Sequence, residues 1–461
     1  MKNEKQLLAA QALLPEGWRD NVLLEWDGNG VLTKVQPGHS TQYDGERAEL
    51  VIPGMVNLHS HAFQRAMAGL TEYRANPVDS FWSWRTLMYR FAARLSPEIL
   101  KAVARQLYGE MLMAGYTSVC EFHYLHHDAD GKPYACAGEM SACLIEAAAD
   151  AGIGLTLLPV MYQYSGFGAK APLENQARFI NSPQWMLQLL QDMQSAHPQH
   201  AGLRYGVAPH SLRAVSPDTL RELLAGLHGF DRAAPVHIHI AEQTREVEDS
   251  LAFCGARPVQ WLLDNIAVDR HWCLVHATHM TAEETTALAA SGAVAGICPS
   301  TEANLGDGIF NGEQYLKAGG VWGIGSDSHI CVDALEELRL YEYSQRLLHR
   351  RRNVLADDGG HVGAALYRDA LHGGAQASGR PVGGLQQGKC ADFIVLDDGH
   401  PNLHGKHGET LMDSLVFARH GASPVQDVVS RGKWVVREGK HLHHEAYGTE
   451  YRHAMRRLQD N

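Results

Sequence analysis

Two histidines one residue apart, His59 and His61, form the first pair of side chains whose types and spacing could do chemistry. They follow an apolar run, residues 51–56, that is typical of a buried strand. Because alternate side chains of a strand point to the same side, the two imidazoles leave the strand together. Two imidazoles side by side are half of a metal site. The chain has 27 histidines, however, so a metal site requires that further ligands follow.

Further candidate ligands stand at the ends of three later apolar runs. One run ends near His239, with Glu242 three residues later, and the other two end at His276 and at Asp327. Histidine nitrogens and an aspartate oxygen are the ligands of a site that holds Zn²⁺ or Fe²⁺ together with a water. Individually, Asp327 could only cap a helix, and His276 could be a core histidine bonded to a carbonyl. Suitable groups at all of these ends favour the metal site.

The elements that must position these groups alternate between strand and helix from residue 53 onward. A capping box from Thr281 to Glu284 begins one of the helices, and Gly292 ends it. Strand candidates, each followed by a helix, lie at residues 51–56, 116–120, 154–160, 203–208, 236–240, 273–275, 294–297 and 321–325. Eight such units predict a parallel α/β fold and fit a (β/α)8 TIM-like barrel better than an open sheet. Chemistry is then expected at the carboxyl ends of the strands.

Both ends of the chain have a β pattern instead. Residues 21–35 indicate a hairpin, and strand candidates follow residue 378 at 388–397, 425–429 and 432–436. We expect a small β-sandwich domain formed from residues 1–52 and 378–461, with the catalytic barrel, residues 53–377, inserted between them. The histidines near the C-terminus, His441, His443, His444 and His453, are interpreted as an exposed tail.

Composition excludes several classes of protein. The 461 residues are 45% hydrophobic, which is typical of a globular protein with a sizeable core. The formal net charge of -12 argues against a nucleic-acid surface. Eight cysteines without a CxxC pair indicate reduced thiols of a cytoplasmic protein. Residues 7–14 are too short an apolar stretch for a signal peptide, and no segment approaches a membrane span, so neither membrane nor nucleic acid is an expected partner.

As a set, these motifs resemble the deaminase branch of the amidohydrolase superfamily. The resemblance extends to the tail segment at residues 388–395 and so covers nearly the whole chain. It implies a homodimer with one divalent metal ion, zinc or iron, held by His59, His61, His239 and Asp327. In two-metal members a lysine or glutamate of the fourth strand bridges the ions, and residues 203–213 contain neither. We therefore expect a single metal.

The expected mechanism is hydrolytic removal of ammonia. Coordination to Zn²⁺ can lower the pKa of a water from 15.7 to about 7. Asp327 is then expected to take a proton from this water as it attacks, while His276 orients it and stabilises the tetrahedral intermediate. Glu242 is expected to protonate the substrate nitrogen so that ammonia leaves. Alternatively, Glu242 could only fix the tautomer of a neighbouring histidine.

Side chains near the expected site indicate a substrate that carries carboxylates. Arg85 and Arg213 could each hold a carboxylate through two hydrogen bonds, although either arginine could instead be an ordinary ion-paired residue. The strings at residues 59–65, 81–85 and 208–213 closely resemble the formimidoylglutamate deiminases of histidine degradation. That resemblance implies hydrolysis of N-formimino-L-glutamate to N-formyl-L-glutamate and ammonia. It also implies that the glutamate portion is held by Gln64, Arg85, Tyr124, His210 and Arg213, with His210 alternatively lying behind the site.

Two other functions compete with this interpretation. The nearer one is another aminohydrolase, which acts on a heterocyclic amine of the guanine, cytosine or S-adenosylhomocysteine type. The more distant one is a catalytically inactive relative that serves in binding or assembly. The complete ligand set together with Glu242 argues against an inactive relative, because such proteins tend to lose metal ligands.

Overall fold

The structure, a computed structural model, describes residues 5–73, 81–419 and 421–459, apart from the side chains of residues 81–83. Its strands are β1 (Lys5–Leu14), β2 (Gly17–Trp26), β3 (Leu32–Gln36), β4 (Glu46–Pro53), β5 (Met55–Ser60), β6 (Tyr116–His123), β7 (Gly154–Met161), β8 (Leu203–Tyr205), β9 (Ala208–Pro209), β10 (Val236–Ile240), β11 (Trp272–His276), β12 (Val294–Ile297), β13 (Val321–Ile324), β14 (Phe393–Leu396), β15 (Val425–Ser430), β16 (Lys433–Arg437) and β17 (Lys440–His441).

The helices include those that cover the parallel strands and two near the C-terminus. They are α1 (Phe81–Arg94), α2 (Pro97–Met113), α3 (Glu139–Ala151), α4 (Pro183–Ala196), α5 (Pro217–Phe230), α6 (Thr244–Cys254), α7 (Pro258–Asn265), α8 (Ala282–Ser291), α9 (Pro299–Leu305), α10 (Gly312–Lys317), α11 (Ala334–His349), α12 (Val362–Ser378), α13 (Gly408–Phe417) and α14 (His444–Gln459). Short 3₁₀ turns lie at Ala62–Met67 and Glu174–Phe179. Among the described helices, none combines the length and apolar character that crossing a membrane requires.

The strands between residues 55 and 324 form two parallel sheets. One has the order β5-β6-β7-β8, with β9 beside β7, and the other has the order β10-β11-β12-β13. Isolated parallel bridges join the two sheets at both edges, between Ser60 and Asp327 and between Val207 and Val236. The predicted alternation of parallel strands and helices is confirmed, as two sheets connected by single bridges.

A glycine allows the first of these edges to close. A Cβ on Gly325 would lie 2.7 Å from the Cβ and 2.9 Å from the carbonyl oxygen of His59. Only glycine lets the chain after β13 approach β5 so closely. The Asp327 N–H then donates to the His59 carbonyl at 3.0 Å, and the His61 N–H donates to the Asp327 carbonyl at 3.3 Å. The backbone itself therefore places these candidate ligands together.

The apolar run at residues 51–56 is two strands, so the prediction of a single strand is wrong. Val51 and Ile52 belong to β4, which ends at Pro53 and pairs with β1 and β14, whereas Met55 begins β5. Gly54 lies between them, and a Cβ there would stand 2.3 Å from the Thr117 side chain. Periodicity cannot reveal such a break, because both strands are buried and both are apolar.

Strands from both chain ends meet in one eight-stranded sheet of order β17-β16-β15-β14-β4-β1-β2-β3. β14 joins the two ends, because it pairs antiparallel with β4 on one side and with β15 on the other. A buried cluster of side chains from both ends packs within this unit and includes Leu7, Trp26, Phe393 and Val429. The rings of Trp26 and Phe393 meet edge to face at 5.6 Å.

The segment with the C-terminal histidines is folded rather than a tail, although His443 and His453 are exposed as expected. His441 lies on β17 with a buried side chain, and its Nε2 is 2.9 Å from the Ala151 carbonyl oxygen. The following helix, α14, packs against α2 and buries Tyr447 and Leu458. The helical spacing of Tyr447 and Leu458 could have predicted a packed helix here, but the polar composition of the segment obscured this pattern.

Candidate active site

Three histidines and an aspartate converge at the carboxyl ends of β5, β10 and β13. The Nε2 atoms of His59 and His239 lie 3.0 Å apart. Asp327 Oδ1 is 3.5 Å from His59 Nε2 and 3.3 Å from His61 Nε2. Ligands about 2.0–2.1 Å from a tetrahedral Zn²⁺ lie about 3.3 Å from one another, and these three separations are close to that value.

The protonation of the histidines also suits a metal. Burial lowers the pKa of His59 to about 3, and it lowers the pKa values of His61 and His239 as well, so the neutral imidazoles are favoured. His61 Nδ1 lies 2.8 Å from the Phe122 carbonyl oxygen and donates to it. This bond leaves the lone pair of Nε2 facing the site.

Asp327 stays ionised although it is buried. Burial alone would raise its pKa, but the hydrogen bond to His59 and the positive charge of His276 hold the pKa below its usual range. The backbone at this residue is left-handed, with a φ of 46°, and His276 has a φ of 68°. Non-glycine residues seldom adopt this conformation, and such strain is concentrated at functional sites.

His59, His61 and His239 form one group of possible metal ligands, and His276, Cys298 and Asp327 form a second group. Burial, with Asp327 and Glu302 adding to it, raises the pKa of the Cys298 thiol well above its usual value. A protonated thiol is a poor ligand, since the thiolate is the form that binds metal. The first group is therefore the better candidate.

His276 is surrounded by carboxylates rather than by carbonyls. Its Nδ1 is 3.2 Å from Glu302 Oε1, and its Nε2 is 3.7 Å from Asp327 Oδ2 and 3.9 Å from Glu242 Oε1. Burial would lower the pKa of His276, but Glu242, Glu302 and Asp327 raise it to about 10. Protonated His276 can therefore donate a hydrogen bond toward the centre of the site.

Glu302 is a residue that the sequence did not single out. It is buried on α9, and its Oε1 accepts the backbone N–H of Cys298 at 2.9 Å as well as facing His276. A glutamate five residues after the end of an apolar strand was the only signal, and it is a common one. Its carboxylate fixes the orientation of the His276 ring.

Glu242 lies in the turn after β10, where Glu246 holds the backbone. The two Glu246 oxygens accept the N–H groups of Ala241 and Glu242, each at 3.2 Å. Burial, with Asp327 and Glu302 adding to it, raises the pKa of Glu242 above its usual value, against the opposing charges of His276 and Arg213. A raised pKa suits a carboxyl group that must give up a proton near neutral pH.

A cavity opens beside these groups. The five residues predicted to hold the substrate all line it, namely Gln64, Arg85, Tyr124, His210 and Arg213. Gln64 Nε2 donates to the Tyr124 hydroxyl at 2.9 Å. Arg213 is buried, and its Nη1 has no hydrogen-bond partner within the described residues. The sequence did not identify Tyr89 and Tyr162, which also line the cavity and bond to Arg85.

His210 contributes a neutral ring to the cavity wall. Burial and the neighbouring Arg213 and Arg85 lower its pKa well below the usual value. Its Nδ1 is 3.0 Å from the Ser211 hydroxyl, and its ring centroid is 5.0 Å from that of His239. His210 therefore lies between the candidate metal ligands and the arginines.

Comparison with known proteins covers almost the whole chain. Residues 50–435 match the amidohydrolase family, and residues 5–49 match the N-terminal domain of formimidoylglutamate deiminase HutF. A formimidoylglutamate deiminase of Pseudomonas aeruginosa is 53% identical over 95% of this chain and 96% of its own. A 5-methylthioadenosine/S-adenosylhomocysteine deaminase of Natronomonas pharaonis is 28% identical over 84% of this chain and 82% of its own.

Comparison with a crystal structure indicates the same family. An amidohydrolase from Brucella melitensis superimposes with a TM-score of 0.93 and is 49% identical, covering 99% of this chain and 100% of that chain. The family match spans far more than half of the 461 residues and includes every candidate ligand and cavity residue named above. This chain belongs to the amidohydrolase family.

Proposed function

We propose that this protein hydrolyses N-formimino-L-glutamate to N-formyl-L-glutamate and ammonia, a step of histidine degradation. The observation that carries the proposal is that one cavity joins a His/Asp metal group to two arginines. An amidine beside the metal and carboxylates beside the arginines would suit this arrangement. The 53% identical relative from Pseudomonas aeruginosa bears the name of the same activity.

The proposed cofactor is one divalent metal ion, zinc, held by His59, His61, His239 and Asp327. The His59–His239, His59–Asp327 and His61–Asp327 separations of 3.0 to 3.5 Å support this ligand set. When bound, Zn²⁺ supplies a Lewis acid that lowers the pKa of a water to about 7. The same ligands accept Fe²⁺, so metal analysis of protein purified without chelators or added metal is needed to identify the ion.

Three side chains would move the protons. Asp327 accepts one proton as the water oxygen bonds to the formimino carbon. His276 donates a hydrogen bond from Nε2 to the attacking oxygen and so orients it and stabilises the tetrahedral intermediate. Glu242 protonates the terminal nitrogen, so the C–N bond breaks, and both protons of the water end on the departing ammonia.

The glutamate portion of the substrate would be held by the part of the cavity that contains the two arginines. Arg85 and Arg213 supply guanidinium groups that match carboxylates, and Gln64, Tyr124 and His210 supply hydrogen bonds around them. The buried, unpartnered Nη1 of Arg213 supports this role, since a buried donor without a partner is costly unless a ligand satisfies it.

We also propose a closed barrel and a β-sandwich domain for this protein. The bridges at both sheet edges support a closed (β/α)8 barrel over residues 53–377. The buried cluster shared by strands of both chain ends supports a β-sandwich domain from residues 1–52 and 378–461. A homodimer and a cytoplasmic location stay predictions, and light scattering of the purified protein would test the first.

A panel assay tests the function. Ammonia release is measured with formiminoglutamate, guanine, cytosine and S-adenosylhomocysteine, with Glu242→Gln as the control for contaminating enzymes. We expect release from formiminoglutamate alone. Release from a heterocyclic amine instead would favour the second candidate, which the 28% identical relative from Natronomonas pharaonis supports. No release from any of them would overturn both.

A further inference from the structure

Two tyrosines in the cavity wall, Tyr89 and Tyr162, are held by one shared network. Arg85 donates from Nε to the Tyr89 hydroxyl at 2.5 Å and from Nη2 to the Tyr162 hydroxyl at 3.1 Å. Gln176 Nε2 donates to the same two oxygens, at 3.0 Å and 2.9 Å. The tyrosine oxygens therefore lie within about 6 Å of each other, on either side of one amide nitrogen.

The orientation of the Gln176 amide follows from its third partner. Gln176 is fully buried, and its Oε1 accepts the backbone N–H of Leu173 at 2.8 Å. A backbone N–H can only donate, so the amide oxygen must face Leu173 and the NH₂ group must face the tyrosines. Both of its hydrogens are then used, one for each phenol oxygen.

This arrangement determines where the two phenol hydrogens point. A hydroxyl oxygen has two lone pairs, and on each tyrosine these accept from Arg85 and from Gln176. Within the described part of the chain, neither hydroxyl has an acceptor for its own hydrogen. Burial and the nearby Tyr162 raise the pKa of Tyr89 to about 12, so it keeps that hydrogen at neutral pH. Both O–H groups are thus donors left for a ligand in the cavity that they line.

We propose that Tyr89 and Tyr162 form a carboxylate-binding fork that grips one carboxylate of the substrate, and that Gln176 is the positioning residue that turns their hydrogens toward it. Two neighbouring O–H donors beside a guanidinium group fit a carboxylate, which has two acceptor oxygens and a negative charge. The inference rests on the proposed function for the identity of the substrate. The orientation of the fork rests on the hydrogen-bond network alone.

Removal of the hydroxyls is the first test. In the metal-loaded enzyme, Tyr89→Phe and Tyr162→Phe each remove one donor to a charged acceptor, so KM for formiminoglutamate should rise about 10-fold or more. The value of kcat should change much less than KM, because neither hydroxyl is placed at the reacting carbon. Tyr343→Phe, at a partly exposed tyrosine that stacks on Phe417, is the matched control. An unchanged KM in the double variant Tyr89→Phe/Tyr162→Phe would overturn the fork.

The positioning role of Gln176 needs two substitutions with opposite expectations. Gln176→Glu keeps the shape and the bond to Leu173, but its carboxylate accepts the phenol hydrogens and turns them away from the cavity. Gln176→Met removes the amide and leaves the tyrosines bonded to Arg85. We expect Gln176→Glu to raise KM more than Gln176→Met does. A residue that served only in packing would show the reverse order, because Glu matches the shape of Gln better than Met does.

Calorimetric titration with glutarate separates the fork from the proposed reaction. Glutarate carries two carboxylates and no amidine, so its binding does not depend on turnover. The fork predicts that the double tyrosine variant binds glutarate at least 10-fold more weakly than the wild type. Equal affinity, or no binding to the wild type, would overturn the fork. Fork-dependent binding without ammonia release from formiminoglutamate would overturn the proposed function and keep the fork.

Discussion

The Nε2 atoms of His59 and His239 face each other at 3.0 Å, although 180 residues separate the two histidines. Within the described residues, the Nδ1 atom of neither ring has a hydrogen-bond partner. Two neutral imidazoles, with the carboxylate of Asp327 close by, leave lone pairs directed at one point. A cation at that point would relieve this contact, which is the physical argument for the proposed metal.

We expect His239→Ala to lose the metal and turnover together. Removing one of four ligands leaves an incomplete coordination shell, so the metal content of the purified protein should fall from about one ion to near zero. His237→Gln is the matched control, because His237 lies two residues earlier on β10 and bonds the Ala377 carbonyl instead. Elemental analysis of both variants checks this prediction, and a full metal content in His239→Ala would contradict the ligand set.

Glu242→Gln should keep the metal and lose turnover. The amide preserves the shape of the side chain but cannot deliver a proton, so kcat should fall by about two to four orders of magnitude. Metal analysis and ammonia release are measured on the same sample. Near-normal turnover would remove Glu242 from the reaction.

Arg213→Met should weaken the use of formiminoglutamate by about 100-fold or more in kcat/KM. The substitution leaves a substrate carboxylate in the cavity without its charged partner, which costs about 2–5 kcal/mol. Arg221→Met on the exposed side of α5 is a control with no expected effect. A change of less than about twofold would mean that Arg213 does not touch the substrate.

Buried Glu337 should make stability depend on pH. Burial raises its pKa to about 8, against hydrogen bonds from Ser300. Because the folded state holds the proton more tightly than the unfolded state, this stabilisation is complete below about pH 4.5 and is lost as pH rises to about 8. The slope is at most about 1.4 kcal/mol per pH unit.

Glu337→Gln should therefore flatten the fall of the free energy of unfolding between about pH 4.5 and 8, since the amide does not ionise. Denaturant unfolding of both proteins across this range provides the measurement. Parallel pH profiles for the wild type and the variant would show that Glu337 does not titrate in the window.

The sequence was sufficient to group the candidate site residues because they stand at the ends of apolar runs. The carboxyl ends of parallel strands meet at one edge, so His59, His239 and Asp327 could be grouped from the sequence alone. The first and last residues of a helix were also predictable where the sequence contains a capping motif. The capping box of Thr281 and Glu284 begins α8, and Gly292 ends it with a φ of 75°.

The remaining parts depend on contacts that no local pattern records. Gln176 lies 87 residues from Tyr89 along the chain. It belongs to a short 3₁₀ turn, and a glutamine in such a turn is expected at the surface, whereas the structure buries it. Glu302 acts through His276, from a helix whose sequence resembles many others. The break at Gly54 is also hidden, because the strands on both sides of it are equally apolar.

Gly54 has a consequence for how this protein could be divided or recombined. Its N–H donates to the Asp392 carbonyl at 3.0 Å, and Tyr367 donates to the neighbouring Pro53 carbonyl at 2.6 Å. The strand that carries His59 is thus anchored at its start by segments from the last hundred residues of the chain. A transplant of residues 53–377 alone would keep the Tyr367 bond but lose the bond to Asp392, so the segment around Asp392 and the strand that carries His59 are best kept together in protein engineering.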